Sequence, residues 1–243
     1  MGSEMCIRDR FYRTKENLEK EEIQYTSYRI NTFLDDYYGI SVMDVDALAW
    51  QASTFDSYDG NSYWCGDDNV GGYLDSWIQF LDMPAFTVPA GATLTADMKW
   101  SIEDPAGAVV AGSCTDGWDA ANVRISNDGG QTWSLLTSNE RPYDFDCGYG
   151  WIWNTDEYDT GGPLNGVAAG WGGVQDWSNF GFDLSAYAGE EVVVRFAFGS
   201  DPAYSTLDDG SITGFHVDNV IVNGVLDCSP ETDCETSVTG AVW

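Results

Sequence analysis

V-R-I-S-N-D-G-G-Q-T-W, residues 123 to 133, is a strand that alternates, turns and restarts. Val123 and Ile125 point one way and Arg124 and Ser126 the other, the two-residue period of a strand with one face buried. Asn127, Asp128, Gly129 and Gly130 are residues that tolerate positive φ in a tight hairpin, and Thr132 and Trp133 are β-formers that open the return strand. The stretch predicts a hairpin and, with it, an all-β domain.

The same texture extends outward from the hairpin. From Trp50 onward, short apolar runs are divided by Gly, Asp, Asn and Pro, the pattern of a sandwich. Residues 62–73 predict a strand that ends at Cys65 and enters an acidic glycine loop, and 77–89 predict one strand and a proline-bounded entry into another. In 92–102, Leu94, Ala96, Met98 and Trp100 share one face, with Thr93, Thr95, Asp97 and Lys99 on the other. Downstream, Val192, Val194, Phe196 and Phe198 alternate with Val193, Arg195 and Ala197, and 214–224 form the last predicted strand. Between these blocks, residues 138–178 are irregular and rich in Gly, Asp and Trp. A loop of that length is uncommon in a compact domain unless it has a function of its own.

Charge narrows the partners. The formal net charge is -30, and six of the ten basic residues lie in the first 29 positions, which also hold six of the forty acids. Residues 30–243 therefore keep 34 acids against Lys99, Arg124, Arg141 and Arg195. Such a surface repels phosphate backbones and anionic lipid, so neither nucleic acid nor a membrane surface is an expected partner. It suits a secreted protein in salty water or one that binds divalent cations. No apolar run reaches the roughly 18 residues of a membrane span.

The termini read differently. M-G-S-E-M-C-I-R-D-R resembles a recurrent translation of sequencing-adapter sequence in metagenomic reads, so residues 1–10 are expected not to be biological, with any secretion signal lost. Residues 11–44 read as a linker or the tail of a preceding segment, since a run of mixed charge is usually a solvated face. Residues 227–243 read as a Cys-bounded tail that starts a further module.

Without Cys6, five cysteines remain and no C-x-x-C pair marks a zinc site. Cys228 and Cys234 bracket a short loop, and Cys114 and Cys147 flank the hairpin, so two disulfides are expected, although spacing does not fix connectivity. Either one would place the protein outside the cell.

Candidate chemistry is sparse. The single histidine, His216, excludes an H-E-x-x-H zinc motif, and with no G-x-S-x-G elbow it reads as a satisfied or half-exposed strand residue. Calcium favours Asp-rich loops beside strand ends, as at Asp67 and Asp68, and at Asp116 and Asp119. Trp100 and Trp133 fit the core periodicity. Trp151, Trp153 and Trp171 lie among glycines in the long loop, where they either stack on sugar rings or pin the loop to the sandwich.

Y-W-C-G at 63–66, the hairpin, F-D-L-S-A-Y-A-G-E-E-V-V-V-R-F-A-F at 182–198 and G-F-H-V-D-N-V-I-V at 214–222 occur in an order that resembles the jelly-roll module of immune-inhibitor-A-type secreted bacterial peptidases. More distantly, the chain is similar to MAM domains. The resemblance covers residues 45–226. It implies a two-sheet antiparallel jelly-roll sandwich with a long Trp/Gly-rich loop, not itself catalytic. By the same resemblance, calcium is a structural cofactor held first by Asp218 in the V-D-N-V position, then by Asp119 and Asp68; the alternative is that Asp218 only hydrogen-bonds a neighbouring loop.

The expected function is an extracellular accessory module for attachment or spacing, in contact with neighbouring domains of a larger secreted protein and with a polysaccharide or protein surface. The alternatives are a carbohydrate-binding module that uses the tryptophan loop, and a hydrolase with a carboxylate pair the sequence does not single out.

Overall fold

The computed structural model describes residues 50–110, 114–152, 166–232 and 234–242. The expectations for 1–10 and 11–44, and the candidate Trp153, lie outside these residues. Two six-stranded antiparallel sheets pack together as a β-sandwich. The first holds β1 (Gln51–Ser53), β2 (Ser62–Trp64), β12 (Gly214–Val222), β5 (Thr93–Ser101) and β10 (Val174–Asp183), in that order, with β13 (Leu226–Cys228) also paired to β12. The second holds β14 (Ser237–Val242), β3 (Trp77–Asp82), β11 (Glu191–Gly199), β7 (Ala120–Ser126) and β8 (Ser134–Leu135), with β4 (Phe86–Thr87) also on β11. A small parallel pair, β6 (Asp116–Gly117) and β9 (Cys147–Gly148), stands apart.

The alternations read from the sequence become the inner faces. Leu94, Ala96, Met98 and Trp100 of β5 face Val192, Val194, Phe196 and Phe198 of β11 within one buried cluster. Each such large side chain removed from water contributes about 1.5–3 kcal/mol. In β12 the alternation breaks: Phe215 and Val217 point inward, and so do Val220 and Val222. The extra residue is a bulge between Asp218 and Ile221, where Asn219 sits at φ 46°.

The hairpin joins β7 to β8, with Gly129 at φ 72° and Gly130 at φ 87°. Its tip is organised by Asp128, whose carboxylate accepts from the Gln131 and Thr132 amides and from the Ser126 and Thr132 hydroxyls. These hydrogen bonds hold the exposed carboxyl down at about 2. The return strand opens at Ser134, just past the expected Thr132 and Trp133.

One-sided burial, expected of β7, gives way to burial of all seven residues. The cover is part of the long loop: Phe145, Cys147, the short helix α1 (Tyr149–Ile152) and Ala168 pack on the outer face of the second sheet, against Ala120, Ala197 and Phe80. Asn122 donates to the carbonyls of Val167 and Ala169. Arg124 lies against Trp151 and Phe80, its centre 4.5 and 5.5 Å from their rings, and burial pushes its pKa down to about 9.

Both cysteine pairs are disulfide-bonded, Cys114 to Cys147 and Cys228 to Cys234, while Cys65 is free and buried. The first bond ties the covering loop to the segment before β7. Such bonds fit an oxidising compartment. Among the described residues, no helix is long and apolar enough to cross a membrane. The stretch expected to be a tail supplies β13 and β14, so strand pairing continues through Val242.

Strand register defines one end of the sandwich. In the second sheet Gly199, at the close of β11, lies level with Ile78 near the start of β3 and with Ala120 at the start of β7. In the first, Ser101 at the close of β5 lies level with Gly214 and Val174, the first residues of β12 and β10.

Candidate metal centre

That end gathers carboxylates. Glu103 follows β5, Asp119 immediately precedes β7, and Asp201 follows β11. One oxygen from each lies within 4.8 Å of the others. Asp75, two residues ahead of β3, is close enough for its charge to act on Glu103 and Asp201. The loops differ in sequence position but share this place because antiparallel pairing returns β3, β5, β7 and β11 to the same end.

The group is held before any ion arrives. Asp119 is fully buried; its Oδ2 accepts from the Tyr73 hydroxyl at 2.5 Å and its Oδ1 from the Asp201 amide at 2.8 Å. Tyr73 is also buried, packs edge-on against Phe198, and accepts the Glu103 amide on its hydroxyl oxygen at 3.1 Å. Glu103 Oε2 and Asp75 Oδ1 are buried with no hydrogen-bond partner.

Electrostatics confirm an unbalanced site. Burial, followed by the charges of Asp201, Asp75 and Asp104, pushes Glu103 up to about 8. Burial pushes Asp201 up to about 6, with Asp75 adding to the effect. Asp119 stands well above the ordinary carboxylate range, again chiefly through burial, against the opposing hydrogen bonds from Tyr73 and Asp201. The basic residues of the sandwich are engaged elsewhere: Lys99 with Asp56, Arg141 with Asp144, Arg195 with Asp82, and Arg124 under Trp151. An all-oxygen group of converging, mutually repelling carboxylates can hold a metal ion. Its donor set suits a hard cation rather than one that prefers nitrogen or sulfur.

Of the ligands predicted from sequence, only Asp119 is in this group. Asp218 sits in mid-strand, paired opposite Asp97, where its Oδ2 accepts from the Ser62 hydroxyl and its Oδ1 from the Asn219 amide. These bonds tie it to the neighbouring strand and to its own bulge. Asp68 is exposed beside Ser53, with a 3.4 Å contact from the serine hydroxyl. Neither belongs to the carboxylate group.

Sugar stacking by the described tryptophans is corrected by burial. Trp171 is 0% exposed, stacked on Trp100 at 5.0 Å, with its indole N–H donating to the carbonyls of Arg141 and Pro142. Trp151 is 2% exposed, packed against both Arg124 and Phe80. Neither ring offers a free face; both pin the loop down. Trp171→Phe is expected to lower stability by about 1–2 kcal/mol, through lost contacts and two unpaired carbonyls. Denaturant unfolding measures this, and an unchanged midpoint would contradict the pinning role.

His216 also departs from its reading. It is fully buried with both ring nitrogens unpartnered, stacked on Trp64 at 5.5 Å, and burial lowers its pKa to about 3, so it is neutral. Trp133 is only partly buried, and covers Arg195 at 3.9 Å rather than entering the core.

No protein-family model matches the chain, and comparison with curated proteins finds no similar sequence.

Proposed function

We propose that the chain is a non-catalytic extracellular module with a jelly-roll sandwich, stabilised by calcium between its sheet ends, which serves attachment or spacing within a larger secreted protein. The observation that carries this reading is the convergence of Glu103, Asp119 and Asp201, with Asp75 beside them, from the ends of four strands and with no basic residue among them. Calcium takes six to eight oxygen ligands at about 2.3–2.6 Å, so carboxylate oxygens gathered within 4.8 Å of one another match its span. Its charge would offset the repulsion that lifts these carboxyls above their ordinary range.

Burial favours a structural over a catalytic role. Asp119 has no exposed surface and Asp201 is buried, so a polymeric substrate has no access to the pair. Strand order favours the jelly roll: β12 lies between β2 and β5, and β11 between β3 and β7, so strands late in the chain fill the centres of both sheets. Neighbouring domains and a polysaccharide or protein surface are the partners that follow from an attachment role. The carbohydrate-binding alternative loses the support of Trp151 and Trp171. Thermal unfolding tests the reading. The melting temperature should rise on adding calcium to chelator-treated protein, and equal transitions in calcium and in chelator would overturn it.

A further inference from the structure

Chain entry and exit share the end of the sandwich that carries the carboxylates. Gln51, the first residue of β1, lies level with Trp64 and, through it, with His216 near the start of β12. Val242, the last residue of β14, lies level with Trp77, two residues beyond Asp75. The two strands also share a side. The opposite edges, β10 and β8, are joined where Ser138 bridges to Phe182, which leaves β1 and β14 together along the other edge. Stacked sheets lie about 10 Å apart, so Gln51 and Val242 lie at one corner.

Residues 65–76 tie that corner to the site. They cross from β2 in the first sheet to β3 in the second, so β1 hangs on one end of the crossing and β14 on the other. The Gln51 side chain donates to the Gly66 carbonyl. Midway, Tyr73 donates to Asp119 and receives the Glu103 amide. At the far end the Ser76 amide donates to the Asp201 carbonyl, and the Trp77 amide to the Ser200 hydroxyl, which in turn donates to the Leu74 carbonyl.

Resting on the cation reading above, we propose that occupancy of the Glu103, Asp119 and Asp201 group fastens the 65–76 crossing and, through it, both β1 and β14, making the two ends of the module one cation-controlled junction. An edge strand is held by hydrogen bonds on one side only and opens at a lower free energy than the core. A loosened crossing would free the strands it carries, β2 beside β1 and β3 beside β14, and the cation opposes that. The consequence is that the edge formed by β1 and β14 stiffens when calcium is present.

Hydrogen exchange on the full chain, in calcium and in chelator, tests this. Amides of β1 and β14 are expected to exchange at least tenfold more slowly in calcium, together with those of 66–76. In Gln51→Ala, which removes the side-chain link from β1 to the crossing without touching the carboxylates, the calcium effect on β1 should shrink while the melting temperature still responds. Protection confined to 66–76, 102–110, 114–119 and 200–213, with β1 and β14 unchanged, overturns the junction and leaves the cation reading standing. No calcium effect on any amide or on the melting temperature overturns both.

Discussion

Asp119→Asn is expected to abolish the calcium response of the melting temperature while leaving the metal-free protein at least as stable as the wild type at pH 8. Asparagine can still accept the Asp201 amide and, with the direction reversed, donate to the Tyr73 oxygen, so one bond is kept and the other is exchanged at the cost of the Tyr73 donor. What disappears is a carboxyl whose charged form burial disfavours, beside Glu103 and Asp201. Without an ion that charge is unfavourable, and its loss costs nothing; with an ion it is a principal ligand. A ligand at one hundred times its dissociation constant adds about 2.7 kcal/mol, which is the gain expected of the wild-type protein in calcium. For a domain of this size that is about 5–10 °C. A variant that kept the full shift would remove Asp119 from the site, and one that melted far below metal-free wild type would show the carboxylate acting in the fold without an ion.

The second large effect is a reversal of pH dependence on chelation. In the metal-free protein Glu103 is held up to about 8 and Asp201 to about 6, above the 4.5 and 3.8 of the free groups. Between these limits the folded state keeps protons that the unfolded chain has released. Their contribution is fully present below pH 4, and is lost as pH rises through 6 and then 8. Metal-free protein should therefore melt progressively lower from pH 5 to 8.5. Calcium-loaded protein should gain stability over the same range, because the ion displaces those protons. Carboxyls held low, such as Asp128 at about 2, act with the opposite sign but only on acidification below about pH 4, so the windows do not overlap. Melting curves in calcium and in chelator at half-unit steps decide the point; parallel rising curves would contradict it.

Period-two patterning made the sheets legible. The inner faces of β5 and β11 stand in the sequence as uninterrupted alternations, and the hairpin announces its own turn. The outer cover on β7 was not legible, since Arg124 and Asn122 read as solvent-facing until the loop that buries them is in place. The carboxylate site was one-third legible. Asp119 stands directly before a predictable strand, whereas Glu103 and Asp201 are single acids in different loops of a chain with forty, and only strand pairing brings them together. Asp218 misleads for a related reason: its V-D-N-V setting marks a bulge in mid-strand, well away from the strand ends where the carboxylates meet.

The positions of β11 and β12 govern when this protein can fold. Both occupy sheet interiors, yet both come from the last quarter of the 243-residue chain: β12 pairs with β2 across some 150 residues, and β11 pairs with β3 across more than 110. Until about residue 199 has emerged from the ribosome β3 and β7 have no central partner, and until about residue 222 β2 and β5 lack theirs. Pairing of such long range places folding in the millisecond-to-second regime and leaves apolar strands open to misassembly in the interval. Both disulfides add a further requirement on closure, since they form only where an oxidant is present.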